Sequence, residues 1–149
     1  MKLPIFTLLA FALATLGFAA DHPDFTGTWK VDISKMEESK GPPPRMTRRV
    51  SKEGNVITMT EIQIREGKER AIVRKFTTDG THVTGTLNGQ PISTRGEWQD
   101  NKLVSDTTVG DSIMIHEVWS LSDDGRTWTN EMVFNGKLST MVFTRQYLP

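Results

Sequence analysis

The sequence predicts an all-β protein, an antiparallel up-and-down meander of about 8–10 strands closed into a barrel. Three observations carry this reading. Turn signals recur at close intervals between Lys52 and Lys137, the segments between them alternate apolar and polar residues, and no long window places apolar residues at helical spacing.

The turn signals are Glu53-Gly54-Asn55, Glu66-Gly67-Lys68, Asp79-Gly80, Asn88-Gly89, Gln99-Asp100-Asn101, Gly110-Asp111, Asp123-Asp124-Gly125 and Asn135-Gly136. Asn-Gly and Asp-Gly readily adopt the positive φ angles that tight hairpins need. Their spacing of roughly 8–12 residues is that of barrels and sandwiches.

Between the turns, residues of one parity form an apolar face. Ile92, Thr94, Gly96 and Trp98 share a face, as do Ile113, Ile115, Trp119 and Leu121 with Glu117 among them, and Trp128, Met132 and Phe134 with Asn130 among them. From Val56 to Ile64 the phase shifts, since Ile57 and Met59 have one parity and Ile62 and Ile64 the other. A bulge near Thr60 or Glu61 is expected there, curving the sheet. The run Ser34 to Pro44 ends in Gly41-Pro42-Pro43-Pro44 and is expected to be a connecting loop with at most one helical turn before it.

Lys2, the apolar run Ile5 to Leu16 and the small residues Gly17 and Ala19 form a secretory signal cleaved after Ala19. The run is shorter than the roughly 20 residues that span a bilayer. Domain boundaries are therefore 1–19 for the signal and 20–149 for one barrel domain, secreted or periplasmic; removing 19 of the 149 residues leaves 130. Lys2 is the one basic residue in the signal, so 17 basic residues face 18 acidic ones in the remainder. That balance gives no basic surface for nucleic acid and no attraction to anionic membranes. Cysteine is absent, which excludes disulfides, a thiol nucleophile, a thiolate metal site and a lipid-anchoring cysteine. A monomer is expected.

The two ends carry a resemblance. The segment Asp24-Phe25-Thr26-Gly27-Thr28-Trp29-Lys30 holds a Gly-x-Trp, and the chain closes on Phe143-Thr144-Arg145-Gln146-Tyr147 with an Arg-x-Tyr. Together with the meander they resemble the calycin barrels, the lipocalins and fatty-acid-binding proteins, and in particular small secreted bacterial lipocalin-like domains. The resemblance implies that Gly27 and Trp29 are structural and close one end of the barrel. It implies two different roles for Arg145. In lipocalins the arginine packs across the first-strand indole, whereas in fatty-acid-binding proteins the Arg-x-Tyr points inward to grip a ligand carboxylate. Met141, Phe143, Arg145 and Tyr147 share one parity, so they lie on one face. The chain departs from the fatty-acid-binding pattern at Ser34 to Pro44, which is too short for a helix-turn-helix lid.

Candidate chemistry is sparse. His22, His82 and His116 lie in separate segments without metal-ligand spacing, so no metal and no cofactor is expected. Gly110-Asp111-Ser112 sits in a predicted hairpin turn rather than the strand-to-helix turn of a serine nucleophile. No catalytic residue is assigned. Glu117 and Asn130, polar residues on apolar faces, are candidates for a polar patch with Arg145 in a water-filled cavity, with Thr94 and Thr140 adding hydroxyls. The ligand-binding candidates are thus Arg145, Tyr147, Glu117, Asn130, Phe143 and Met141. They point to a barrel that binds one small apolar or amphipathic ligand, with carboxylates among the candidates. A filled barrel serving as a non-catalytic envelope or interaction module is the alternative, and a small hydrolase or isomerase comes last.

Overall fold

A computed structural model describes residues 21–36 and 45–147; the expected signal at 1–19 and residues 37–44 of the expected loop lie outside these. Ten strands follow one another: β1 (Gly27–Val31), β2 (Arg45–Glu53), β3 (Val56–Arg65), β4 (Lys68–Thr77), β5 (Asp79–Leu87), β6 (Gln90–Gln99), β7 (Lys102–Val109), β8 (Ser112–Leu121), β9 (Thr127–Phe134) and β10 (Lys137–Gln146). One turn of 3-10 helix at Ile33–Lys35 is the sole helical element among the described residues, capped by the Asp32 side chain on the Ser34 N–H.

All pairings are antiparallel, in the order β4-β3-β2-β1-β10-β9-β8-β7-β6-β5. The turn signals lie at the reversals from β2 to β10. At Asn135-Gly136 both residues take positive φ, 48° and 76°, the conformation that matches a two-residue hairpin to strand twist.

The barrel is nearly closed. β4 and β5 lie at the two ends of the strand order and pack together without ladder pairing. Thr77, at the end of β4, spans to β6: its hydroxyl accepts from the Gly96 N–H at 2.8 Å and donates to the Thr81 carbonyl at 2.6 Å. Glycine is required at position 96, because a Cβ there would stand 2.2 Å from the Thr77 carbonyl oxygen. At the other end of the seam Arg70 of β4 donates to the Asn88 side chain.

The expected phase change at Thr60 or Glu61 does not occur. β3 holds one register with β2 from Arg45↔Ile64 to Glu53↔Val56, and one with β4 throughout. Ile57, Met59 and Glu61 all face inward, which leaves Ile64 exposed. Glu61 takes an inward position because Arg48 meets it there, Nε to Oε2 at 2.6 Å. Register shifts fall instead between Asp79 and His82 and between Thr107 and Thr108.

The core is concentrated at the end where β1 begins. Phe25, Trp29, Phe76, Trp119, Trp128 and Phe143 are buried there. Trp119 and Trp128 have centroids 4.5 Å apart, and Trp29 meets Trp128 edge-on at 5.5 Å. Such pairs add about 0.5–1.5 kcal/mol each beyond their burial. Phe25 plugs this end from the segment before β1, and its carbonyl accepts the Trp29 indole N–H at 2.8 Å.

Candidate functional site

Period-two alternation sends every second side chain inward, and aromatic bulk fills the barrel only at the β1 end. Toward the other end the interior opens into a cavity of about 390 Å³. Its apolar wall is built of Met46, Met59, Ile72, Ile115, Met132 and Met141, with Phe134 and Leu87 toward the mouth. Methionine walls are adaptable, since the unbranched thioether repacks at little cost. The size falls within the range of about 300–1,000 Å³ typical of small-molecule sites.

The floor is polar and charged. Arg48, only 1% exposed, projects from β2 between Met46 and Val50. Its Nε binds Glu61, its Nη1 donates to Asn130 Oδ1 at 2.8 Å, and its guanidinium lies 4.2 Å from the Phe143 centroid and 4.8 Å from that of Trp128. Gln63 Nε2 donates to the other Glu61 oxygen at 2.5 Å. Burial pushes the Arg48 guanidinium below its ordinary pKa while Glu61 and Glu117 pull it back up; an arginine remains charged throughout.

A second pair lies beside the first. Arg74 of β4 donates through Nη2 to Glu117 Oε2 at 2.7 Å and to the Thr107 hydroxyl at 3.2 Å, and its guanidinium lies 4.8 Å from the Phe76 centroid. Thr107 in turn bonds Thr94 at 3.1 Å. Four polar atoms of this region are buried without a hydrogen-bond partner among the described residues: Arg74 Nε, Glu117 Oε1, Trp119 Nε1 and Trp128 Nε1. Each such group costs about 1–3 kcal/mol, more where it is charged.

The structure brings together part of the set that the sequence singled out. Glu117 and Asn130 are fully buried behind the polar floor, bonded to its lining residues Arg74 and Arg48, Met141 lines the wall and Phe143 lies under Arg48. Thr94 joins the floor, whereas Thr140 has the opposite parity to Met141 and does not. Arg145 is elsewhere. It faces inward as parity requires, but at the aromatic end, 4.2 Å over the Trp29 ring and donating to the carbonyls of Asp24, Thr26 and Gly125. Gly27 leaves room for it, since a Cβ there would meet Arg145 Nη1 at 3.2 Å. Tyr147 is 68% exposed beyond the end of β10.

Arg48, Glu61 and Arg74 were missed in the sequence. The signal was present: each has the parity of apolar neighbours, Arg48 with Met46 and Val50, Glu61 with Met59, and Arg74 with Ile72 and Phe76. It is the signal that drew attention to Glu117 and Asn130. Among the described residues no group of three His, Asp or Glu side chains is placed to hold a metal ion, and no helix is long and apolar enough to cross a membrane.

No protein-family model and no curated protein matches the sequence. Solved structures do match by shape. The REP1-NXSQ fatty acid transporter superposes with a TM-score of 0.61 at 16% identity, over 83% of this chain and 97% of that one. Human cRBP IV gives 0.60 at 14% identity, over 83% of this chain and 98% of its own. The fatty acid-binding protein from Drosophila melanogaster brain gives 0.56 at 21% identity, over 81% and 99%. The fold is that of a lipocalin-like calycin barrel.

Proposed function

We propose that the protein is an exported carrier that holds one small apolar or amphipathic molecule in its barrel, the apolar body on the methionine wall and the polar end on the charged floor. The observation that carries this reading is the cavity of about 390 Å³ between that wall and the buried Arg48 and Arg74. A filled core would leave no such space, since protein interiors pack with few voids larger than a water. The shape-matched proteins named for fatty-acid transport and binding support the same class of ligand. Export rests on Lys2 and the apolar run Ile5 to Leu16. A monomer is part of this reading, supported by the packing of the two unpaired strand edges, β4 and β5, against each other.

Titration with a neutral solvatochromic dye such as Nile red tests the binding reading. One molecule per chain is expected to bind with a blue-shifted emission. Met132→Trp and Met141→Trp, which fill the cavity, should each weaken binding by at least about tenfold while the melting temperature is kept. Equal binding by the filled variants would place the dye on the surface and remove the carrier reading.

A further inference from the structure

We propose that the floor of the cavity selects an amphipathic ligand whose polar end is uncharged, a hydroxyl or an amide, over one ending in a free carboxylate. The proposal rests on the carrier reading above and specifies its ligand class.

The charged groups of the cavity floor are Arg48 from β2, Glu61 from β3 and Arg74 from β4, and Glu117 from β8, fully buried behind the lining, pairs with Arg74. Two guanidiniums therefore face two carboxylates, and each cation is already paired at 2.6 or 2.7 Å. The neutral partners around them, Gln63, Thr107 and Asn130, add no charge. A ligand carboxylate entering this floor would be a third buried anion with no cation left to compensate it, and it would lie beside Glu61. A buried charge without a partner is among the costliest states in a protein. An ammonium head meets the mirror-image difficulty, since both carboxylates are already engaged.

What the floor leaves open is a hydrogen-bonding requirement. Among the described residues Arg74, 6% exposed and part of the cavity lining, keeps its Nε–H without an acceptor, and its ion-pair partner Glu117, fully buried behind the lining, keeps Oε1 without a donor. A hydroxyl or primary amide both donates and accepts, whereas a carboxylate only accepts and an ammonium only donates. Among the described residues the one cavity-lining cation outside the two ion pairs is Arg70, an exposed residue at the mouth whose guanidinium is held by Asn88.

The test is displacement of Nile red from the full-length protein by dodecanol, dodecanamide, dodecanoate and dodecylamine near neutral pH, below their aggregation concentrations. Dodecanol and dodecanamide are expected to bind at least about tenfold more tightly than either ionic head. Glu117→Gln leaves the floor with one excess positive charge and should shift the preference toward dodecanoate. Glu61→Gln makes the same change from β3. Dodecanoate binding as tightly as dodecanol in the unmodified protein would overturn the proposal and leave the carrier reading intact; its loss in Arg70→Gln would then locate the carboxylate at the mouth. Unaltered preference in folded Glu117→Gln and Glu61→Gln would also overturn it. Failure of all four ligands and of the dye would remove the carrier reading itself.

Discussion

The guanidinium of Arg145 lies 4.2 Å from the centre of the Trp29 ring, and its N–H groups are taken up by the carbonyls of Asp24, Thr26 and Gly125. The last long strand is thereby tied to the first, to the segment preceding it and to the β8–β9 turn. Three of its five N–H groups are engaged in this way at the aromatic end, away from the cavity. Arg145→Gln is expected to lower stability by about 1–3 kcal/mol, from lost charge-assisted hydrogen bonds and the cation over the indole. Ligand affinity in the cavity should be unchanged, because the two sites occupy opposite ends of the barrel. Urea denaturation and dye titration on one preparation read both; a change in affinity without a change in stability would show a ligand role for Arg145.

Trp29 is fully buried and gives its indole N–H to Phe25. Trp29→Ala removes the ring that Trp128 and Arg145 pack against, together with the hydrogen bond to Phe25, and should cost about 3–5 kcal/mol. A thermal melt within error of the unmodified protein would contradict the packing described.

The Arg74–Glu117 pair has side chains 6% and 0% exposed. Glu117→Leu alone strands a buried guanidinium and should cost about 3–5 kcal/mol. Adding Arg74→Met should recover most of that loss, since an apolar pair of similar volume replaces an ion pair that already carried a desolvation penalty. A double variant no more stable than Glu117→Leu would show that the pair is not the unit of stability here.

Gly96 and Thr77 close the β4–β6 end of the seam. Gly96→Ala forces its methyl group into the Thr77 carbonyl, 2.2 Å away, and is expected to destabilise by about 1–3 kcal/mol. Thr77→Val keeps the shape and removes the acceptor of the Gly96 N–H, for a similar loss of about 1–3 kcal/mol. Hydrogen exchange at Gly96 should rise in Thr77→Val; unchanged protection there would mean that the clasp is not closing the seam.

Acid sensitivity follows from the turns. The Thr81 hydroxyl and N–H hold the Asp79 carboxyl below its ordinary pKa, and the Ser122 hydroxyl and Arg126 N–H do the same for Asp124. A carboxyl whose folded pKa is depressed adds stability above its unfolded pKa, about 3.9, and loses it as pH falls through the folded value. The melting temperature should therefore be level above about pH 5 and fall below about pH 4. Asp79→Asn and Asp124→Asn should shallow that fall, and an identical acid limb in both variants would contradict the assignment.

How much of this was legible in the sequence depends on the range of the interaction. Hairpins are local: Asn135-Gly136 needs only its own backbone freedom to turn the chain, so the eight turn signals and the strands between them could be read residue by residue. Parity is local too, and it placed Glu117, Asn130, Phe143 and Arg145 on inward faces. It says nothing of depth along the barrel axis, which is why Arg145 read both as a ligand grip and, somewhat more readily, as a cover for Trp29. The depth is set by the register Trp29↔Arg145, a contact between the two ends of the chain. Ile62 and Ile64 misled for a related reason. Their hydrophobicity outweighs Glu61 in any local count, yet Glu61 goes inward because Arg48 waits across the β2–β3 ladder. The sequence by itself determined a meander of half-buried strands. The tertiary structure decided which charges meet inside it and where the aromatic bulk stops, because a buried charge is tolerable only beside a partner that folding brings near, and a cavity exists only where no side chain from any strand arrives.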